Sequence, residues 1–331
     1  MARSGAPRKV VHMETRDTTR VAVVQRPPVL LDRAATLKIA VEYLGEAADA
    51  GAQLIVFPET YLPGYPVWIW RLRPEADFKL TSKIYARLME NSVDLGADDL
   101  RPLCDAAAER GVTVVCGIHE RDGRFSRGTL YNTVVTIGPT GEILNRHRKL
   151  MPTNPERMVW GQGDATGLKV TDTPVGRVGS LICWENYMPL ARYVLYAEGV
   201  QIYVAPTWDE GETWIASMRH IAAEGRCWVI GAGCSLRASD VPFDFPERQR
   251  LFPDDDEWLN PGDSVVVAPG GRVTAGPLHQ EHGLLVADVQ PEGTDAAHRT
   301  LDVAGHYGRS DIFSLRVDRS QREPISYDPA G

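Results

Sequence analysis

Short apolar runs alternate with segments of helical periodicity along this chain, and this alternation constrains its fold more than any other feature. Residues 20–25 and 54–57 predict two strands. Between them Leu37, Val41 and Leu44 recur at the spacing of one helix face. The second run is apolar throughout, which is typical of a strand whose two faces are both covered. The sequence therefore predicts an α/β protein with buried sheets.

Further segments continue the same alternation. Gly- and Pro-containing turns at 138–141 and 269–271 predict hairpins. Hairpins mixed with strand–helix–strand units favour an α/β sandwich over a barrel. Residues 240–261, rich in Pro and Asp, are expected to form a long surface loop. The remaining strands are predicted at residues 112–118, 130–137, 142–148, 178–183, 200–205, 227–231, 264–268, 273–275 and 283–289, and the remaining helices at 99–110, 189–198 and 212–225.

Charge and length limit the classes of function and the number of domains. The chain has 331 residues and a formal net charge of -8. This charge argues against a general nucleic-acid binder, because phosphate contacts need clustered Lys and Arg. Residues 1–19 are basic without an apolar stretch, so we expect a mobile N-terminal extension and no secretory signal. Residues 20–290 then form the main domain, and 291–331 form a polar C-terminal tail.

Cysteine usage and hydropathy bear on the cellular compartment. The 5 cysteines are odd in number and sparse, and they form no CxxC pair. Reduced thiols in a cytoplasmic protein are therefore expected. No apolar run reaches the roughly 18 residues that a membrane-spanning helix needs, so no membrane partner is expected.

Three reactive side chains stand at the ends of predicted strands. Glu59, Lys149 and Cys183 each follow or end an apolar run. Cys183 precedes a turn toward a helix, where unpaired backbone N–H groups favour a thiolate and can hold charge that develops on a substrate. Glu59 is followed by the apolar residues 62–70; an enclosed carboxylate has a raised pKa and can accept the proton of a thiol. A base, a cation and a thiol together suit attack on an electron-poor carbon.

Each of these side chains also has a structural interpretation. A free cysteine is more often a core residue than a nucleophile. Glu59 can cap a solvated loop, and Lys149 lies in a basic run typical of an exposed face. Glu156 follows Asn154 and Pro155, which are predicted as the N-cap and the first residue of a helix. An acid in a first helical turn needs no catalytic role.

No cofactor-binding pattern accompanies these groups. His279 and His282 lie in a Gly- and Pro-rich context without a matching ligand cluster, so no metal is expected. Residues 161–164 and 231–233 lack the full phosphate-loop pattern, which argues against nucleotide binding. The sequence predicts chemistry carried by protein side chains.

Three segments together resemble the signature blocks of the nitrilase superfamily of carbon-nitrogen hydrolases. They are FPETYLPGYP at 57–66, HRKLMPT at 147–153 and CWEN at 183–186, in the order typical of that family. The resemblance runs from about Val21 to Val289. A match of all three blocks in order is highly specific.

The closer resemblance is to the nitrilase branch. Residues 152–164 are similar to the nitrilase form of the second block, and Cys-Trp-Glu is similar to that of nitrilases and cyanide-degrading enzymes. The segment 306–313 also resembles the nitrilase ending. Residues 165–166 depart from the usual Gly followed by Ser or Thr, and we expect only a local change in that loop.

This resemblance implies a four-layer α-β-β-α sandwich that forms homodimers, often in spiral assemblies, with the tail at oligomer interfaces. It implies that Cys183 is the nucleophile, Glu59 the general base and Lys149 the electrostatic stabiliser. Glu156 is then a second carboxylate that orients Lys149 or the attacking water. We expect a nitrilase that converts a small-molecule nitrile to the carboxylic acid and ammonia through thioimidate and thioester intermediates, without a cofactor.

Several alternatives use the same fold or the same site. An amidase, a carbamoylase or a cyanide dihydratase would need the same Glu-Lys-Cys device, and a non-catalytic scaffold would need only the sandwich. Trp184 and the block around Glu156 favour nitriles. Tyr65, Trp184, Trp208 and Thr207 are expected to line the substrate pocket. Their aromatic rings favour aromatic or arylaliphatic nitriles.

Overall fold

The computed structural model describes residues 18–123, 125–321 and 325. Apart from residues 18 and 19, the predicted N-terminal extension lies outside this range, and Thr19 already begins the first strand. Within these residues, no helix is both long enough and apolar enough to cross a membrane.

The predicted strands and helices are present with limits that differ by a few residues, and short elements at 171–173, 235–237, 248–251 and 294–298 were not predicted. The strands are β1 (Thr19–Gln25), β2 (Leu54–Val56), β3 (Thr113–Arg121), β4 (Leu130–Ile137), β5 (Ile143–Arg148), β6 (Thr171–Thr173), β7 (Gly176–Ser180), β8 (Ile202–Thr207), β9 (Trp228–Gly233), β10 (Ser235–Arg237), β11 (Trp258–Ala268), β12 (Arg272–His279) and β13 (Gly283–Val289). The helices are α1 (Arg33–Asp49), α2 (Phe78–Glu90), α3 (Arg101–Arg110), α4 (Pro189–Ala197), α5 (Gly211–Gly225), α6 (Arg248–Leu251) and α7 (Thr294–His298).

Two mixed sheets form the centre of the molecule. A six-stranded sheet has the order β13-β1-β2-β3-β4-β5, and a seven-stranded sheet has the order β10-β11-β9-β8-β7-β6 with β12 paired to β11. Parallel strands occupy the middle of each sheet, β1-β2-β3 in one and β7-β8-β9 in the other. Antiparallel strands flank them. Both sheets therefore contain the predicted strand–helix–strand units and hairpins.

The alternation of side chains along β1 defines the layers. Val21 and Val23 lie in an apolar cluster shared by both sheets. Ala22 and Val24 point the other way, into the cluster under α1 and α3. A further cluster packs α4 and α5 onto the outer face of the second sheet. The predicted α/β fold, a four-layer α-β-β-α sandwich, is confirmed.

The prediction of a surface loop over residues 240–261 is wrong. Phe245 and Phe252 are buried with ring centroids 5.6 Å apart, and β11 begins inside this stretch. Pro and Asp interrupt the apolar residues in the sequence, so the segment shows no clear helical or strand periodicity. Burial of the two rings nevertheless stabilises a packed structure. Helix α2 packs against the same cluster and was not predicted, because only Ile84 and Leu88 of its residues are buried.

The C-terminal segment returns to the body of the protein as far as residue 321. It contains α7, and Val317 packs against the cluster beneath α4 and α5. The Arg319 guanidinium donates to the carbonyl of Leu168 at 2.6 Å. The tail thus contacts its own chain, and its place at an oligomer interface stays a prediction.

Candidate active site

Glu59 lies just past β2, in a stretch that is buried continuously from residue 54 to 69. This stretch passes very close to β3. A Cβ atom at Gly117 would lie 2.3 Å from the carbonyl oxygen of Pro58 and 2.4 Å from the amide nitrogen of Thr60. A glycine on β3 therefore permits the approach. The Glu59 side chain is fully buried, as its apolar surroundings predict.

Lys149 directly follows β5, and its amide donates to the carbonyl of Asn132 on β4 at 2.7 Å. Its side chain is buried instead of solvated. The ammonium Nζ lies 2.8 Å from Oε1 of Glu59 and 2.8 Å from Oε2 of Glu156. Side chains far apart in the sequence thus form one buried cluster.

Within the described part of the chain, three groups donate hydrogen bonds to the Glu59 carboxylate. Asn132 Nδ2 donates to Oε1 at 2.7 Å, beside Lys149, and the backbone N–H of Trp208 donates to Oε2 at 2.7 Å. Each carboxylate oxygen can accept about two hydrogen bonds. Oε2, with one donor from these residues, keeps an acceptor position for an incoming proton.

Glu156 combines the capping role and the ion pair that the sequence left as alternatives. The predicted N-cap was Asn154, but the N-cap is Thr153, and Asn154 begins a 3-10 turn. Oε2 of Glu156 accepts the backbone N–H of Thr153 at 2.7 Å, as in a capping box. Oε1 accepts the hydroxyl of Tyr65 at 2.7 Å. The first-turn position holds the carboxylate rigidly against Lys149.

Cys183 lies at a turn and not at the end of a strand. The strand was predicted to end at Cys183, but β7 ends at Ser180 and Cys183 begins the 3-10 turn Cys183–Tyr187. Cys183 has a φ of 51°, in the left-handed region that side chains other than glycine rarely adopt. Its thiol is 4% exposed. Strained backbone of this kind clusters at functional sites.

The buried charges shift one another's pKa values. Burial raises the pKa of Glu59, attraction to Lys149 opposes this, and repulsion from Glu156 adds to the rise. Burial lowers the pKa of Lys149, but its acidic neighbours outweigh burial and hold the pKa above its usual value. Burial raises the pKa of Cys183 and Glu59 adds to it, whereas Lys149 and a hydrogen bond from Thr207 lower it. The cluster therefore keeps the lysine charged beside a thiol that needs a base.

The chain matches the family model for carbon-nitrogen hydrolases over residues 20–299. This match covers most of the chain. The chain belongs to the carbon-nitrogen hydrolase family. It is thus a hydrolase that acts on carbon–nitrogen bonds, as predicted.

Curated relatives of this hydrolase are nitrilases. Nitrilase 3 of Arabidopsis thaliana is 38% identical over 96% of this chain and 92% of the relative. The aliphatic nitrilase of Sinorhizobium fredii (strain HH103) is 39% identical over 92% of this chain and 97% of the relative. A bifunctional nitrilase/nitrile hydratase of Lupinus angustifolius is 38% identical, with coverages of 95% and 90%. These relatives confirm the predicted nitrilase branch and do not favour the alternatives.

Solved structures support the fold of the hydrolase. A carbon-nitrogen hydrolase from Helicobacter pylori G27 aligns with a TM-score of 0.67 at 18% identity, over 89% of this chain and 96% of that one. Nit3 of Saccharomyces cerevisiae, titled a member of branch 10 of the nitrilase superfamily, aligns with a TM-score of 0.64 at 18% identity, with coverages of 88% and 97%. At 18% identity, both alignments support the fold alone.

The four residues predicted to line the pocket of this hydrolase differ in environment. Tyr65 and Trp208 are stacked beside the carboxylates, with centroids 4.2 Å apart and planes 7° apart. Thr207 is fully buried, and its side chain lowers the pKa of Cys183. Trp184 is 52% exposed, and its indole N–H donates to an oxygen of Asp209. Their roles in substrate binding stay predictions.

Two further residues of the site were not found from the sequence. Asn132 lies in the middle of β4 and holds Glu59, but nothing in its local pattern marks it. Glu185 is buried and accepts the backbone N–H groups of Leu150 and Ile182, each at 2.7 Å, and lies 3.1 Å from His147 Nε2. It joins the segment after β5 to the Cys183 turn. The Cys-Trp-Glu block was the only signal that could have drawn attention to it.

The remaining cysteines are buried, and His279 and His282, the histidines considered as metal ligands, have other partners. Burial raises the pKa of Cys104, Cys116, Cys227 and Cys234. His279 Nδ1 lies 2.6 Å from Asp263, and His282 Nδ1 lies 2.7 Å from the Ser235 hydroxyl. The described part of the chain holds no group of three or more side chains arranged to bind a metal ion.

Proposed function

We propose that this hydrolase converts an organic nitrile to its carboxylic acid and ammonia, with Cys183 as nucleophile and Glu59, Lys149 and Glu156 as the other catalytic residues. One observation carries the proposal: Lys149 bridges both carboxylates at 2.8 Å in a buried cluster whose charges act on the Cys183 thiol. The names of the curated relatives support a nitrile as substrate.

The first step forms a carbon–sulfur bond. The Cys183 proton passes to Glu59, where Oε2 has an acceptor position left. The sulfur then attacks the nitrile carbon, and Glu59 returns the proton to the nitrogen, giving a covalent thioimidate. Lys149 and the backbone N–H of Trp184 donate to the nitrogen while it carries negative charge.

Two waters complete the reaction. Glu59 takes a proton from the first water, which adds to the thioimidate carbon and gives a tetrahedral intermediate. The nitrogen receives that proton and becomes NH2. Glu59 then transfers the proton of the new hydroxyl to the NH2 group, the carbon–nitrogen bond breaks, ammonia leaves and a thioester remains. A second water attacks the thioester by the same base catalysis, the acid leaves, and the Cys183 thiol re-forms. Glu156 contributes by fixing Lys149, which needs no proton transfer of its own.

The substrate side chain is proposed to contact the stacked pair Tyr65 and Trp208, together with Thr207 and Trp184. The pair presents aromatic surface next to Glu59, which favours aromatic or arylaliphatic nitriles over small aliphatic ones. A panel of matched nitriles, with acid, amide and ammonia measured for each, checks this preference. Higher kcat/KM for small aliphatic nitriles would contradict it.

The Cys183→Ala variant tests the nucleophile. Because the sulfur forms the covalent intermediate, we expect ammonia release from nitriles to fall to background while the fold is retained. Circular dichroism checks the fold. Cys116→Ala, at a fully buried cysteine on β3, is the matched control and should keep its turnover.

Two results would overturn the proposal. Turnover like that of the wild type in Cys183→Ala would remove Cys183 from the mechanism. Wild-type protein that releases ammonia from amides but from none of the matched nitriles would assign the same site to an amidase.

The same proposal extends to assembly and location. A homodimer, with spiral assembly of dimers, is supported by apolar side chains exposed at Trp184, Tyr187, Met188 and Leu190. The location in the cytoplasm is a proposal supported by the sparse, free cysteines. Fractionation of the cells that produce the protein checks the location.

A further inference from the structure

His119 is a fully buried histidine on β3 that takes no part in the proposed steps. Both of its ring nitrogens have partners. Nδ1 lies 3.0 Å from the indole Nε1 of Trp160, and Nε2 lies 2.9 Å from the carbonyl oxygen of Gly64. His119 is therefore a titratable side chain with two hydrogen-bond partners and no role in the proposed reaction, which suggests a structural role in the site.

The partners determine where the ring proton lies. An indole N–H can only donate, so Nδ1 of His119 must present its lone pair to Trp160. A backbone carbonyl can only accept, so Nε2 must carry the hydrogen that Gly64 receives. His119 is therefore neutral, with its proton on Nε2. Burial agrees with this assignment, because it lowers the pKa of His119 to about 3.

The contact with Gly64 reaches the segment that carries Glu59. Gly64 has a φ of 100°, and its amide donates to the carbonyl of Thr60 at 2.9 Å. This bond closes a tight turn between Glu59 and Tyr65. A side chain at position 64 would also meet Leu30, since a Cβ there lies 2.3 Å from its Cδ2. His119 thus holds the turn through a carbonyl that has little freedom to move.

The contact with Trp160 reaches the segment that carries Glu156. The amide of Trp160 donates to the carbonyl of Glu156 at 3.0 Å. Its indole ring lies edge-on to Tyr65, with centroids 5.9 Å apart, and its centroid is 5.9 Å from Lys149 Nζ. The Trp160 ring thus forms part of the surroundings of the Lys149 ammonium, and a change in its orientation would alter them.

We propose that His119, in its neutral form with the proton on Nε2, is a positioning residue that ties the Glu59 segment to the Glu156 segment and holds Trp160 against Lys149. This inference rests on the proposed function, since those carboxylates flank the catalytic ammonium. Loss of either contact removes a link between the two segments that adds to the Tyr65–Glu156 hydrogen bond and the Lys149 ion pairs, and it lets the carboxylates shift relative to each other. Small displacements of catalytic groups lower the rate of the chemical step more than substrate binding.

A double-mutant cycle with His119→Phe and Trp160→Phe tests the tie. Phenylalanine at position 119 keeps a ring but offers no acceptor to the indole, and phenylalanine at position 160 removes the indole donor while keeping a ring beside Lys149. We expect each single variant to lower kcat per Cys183 site about tenfold or more, with a much smaller change in KM. The double variant should lose no more than the worse single variant, because both changes break one contact.

The readouts separate positioning from stability. Folded protein is isolated by gel filtration and its fold is checked by circular dichroism, so that unfolded protein does not contribute to kcat per Cys183 site. Cys116→Ala on the same strand should lower the melting temperature without lowering kcat per site. A kcat per site within about twofold of the wild type in both single variants, or losses that multiply in the double variant, would overturn the tie.

A second readout keeps this test apart from the proposed function. Alkylation of Cys183 by iodoacetamide needs no nitrile, and it should be slower in His119→Phe and Trp160→Phe than in Cys116→Ala. If the wild type hydrolyses no nitrile, the proposed function fails, and the alkylation rates still decide the tie. Equal alkylation rates in all three variants would count against His119.

Discussion

At the scale of single residues, the decisive feature is a lysine between two carboxylates. Among the described residues, three groups donate hydrogen bonds to the carboxylate of Glu59 and three to that of Glu156. The Lys149 ammonium is one of the three donors in both cases. Breaking a buried ion pair of this kind is strongly unfavourable, because one charge is left without compensation. The donors are Lys149, Asn132 and the Trp208 amide for Glu59, and Lys149, the Thr153 amide and Tyr65 for Glu156.

The Lys149→Arg variant tests this geometry. Arginine keeps the charge, but its planar guanidinium cannot occupy the position of a compact ammonium 2.8 Å from both carboxylates. We expect kcat/KM for nitrile hydrolysis to fall by about 100-fold or more. Ammonia release measures the loss. Lys79→Arg, at an exposed lysine of α2, is the control, and activity retained in Lys149→Arg would show that Lys149 is not part of the machinery.

The Asn132→Ala variant tests how the base is tuned. Burial raises the pKa of Glu59, and the hydrogen bond from Asn132 is one of the contacts that lower it. Without this donor the pKa of Glu59 rises further, so less of the base is ionised at a given acidic pH. The acid limb of kcat/KM should therefore move to higher pH. Glu59 and Lys149 titrate as a coupled unit, so the limb reports a macroscopic value.

The control for this pH profile is Thr136→Ala on the same strand, which should leave the acid limb in place. An acid limb that does not move in Asn132→Ala would show that this hydrogen bond does not set the ionisation of Glu59.

At the scale of elements, the site depends on how closely three chain segments pass one another. The segment after β2 crosses β3, the segment after β5 carries Lys149, and the Cys183 turn comes from the second sheet. Glu185 links the last two through backbone N–H groups on both sides. Charge-assisted hydrogen bonds of this kind are stronger than neutral ones, so Glu185 holds the two segments together firmly. Burial raises the pKa of Glu185, but attraction to His147 and the hydrogen bonds to its carboxylate outweigh burial and lower the pKa.

The Gly117→Ala variant tests the crossing of β3 by the Glu59 segment. An added methyl group would lie 2.3 Å from backbone oxygen and 2.4 Å from backbone nitrogen, so the segment must shift. We expect a loss of about tenfold or more in kcat/KM, together with a lower melting temperature. Gly283→Ala is the control, because its nearest neighbour would be a side-chain atom at an ordinary 3.7 Å. Unchanged kcat/KM in Gly117→Ala would mean that Glu59 tolerates the shift.

At the scale of the whole molecule, an apolar surface lies next to the Cys183 turn. Leu190 at the start of α4 is 65% exposed, and Trp184, Tyr187 and Met188 are also exposed. The homodimer proposed above would cover this segment. Association through it would couple the turn that carries Cys183 to the partner subunit.

The Leu190→Asp variant tests this surface. A buried carboxylate without a partner is costly, so the variant should sediment as a smaller species than the wild type at the same concentration. Analytical ultracentrifugation measures the mass. Phe243→Asp, at a ring that is 97% exposed, is the matched control and should keep the dimer. A wild-type monomer, or a Leu190→Asp dimer, would contradict the proposed interface.

Local signals were enough to predict the framework of this hydrolase and the residues at its centre. Apolar runs and turn residues act over a few positions, so the strand–helix order follows from them. Glu59, Lys149 and Cys183 were found because each was predicted to end or to follow a strand, although Lys149 follows a basic run and Cys183 lies in the turn after β7. The three sequence blocks also indicated the family that the comparisons confirm.

Other features depend on contacts between distant segments. Asn132, Glu185 and His119 each have an ordinary local context, and they acquire their roles from partners on other strands and loops. The packing of residues 240–261 likewise depends on rings contributed by other parts of the chain. Periodicity describes which face of an element is apolar, but not which segment covers it. The sequence by itself therefore determined the main strand–helix order and identified Glu59, Lys149 and Cys183. Only the tertiary structure decided their distances, hydrogen-bond donors and burial, because these arise where the chain meets itself.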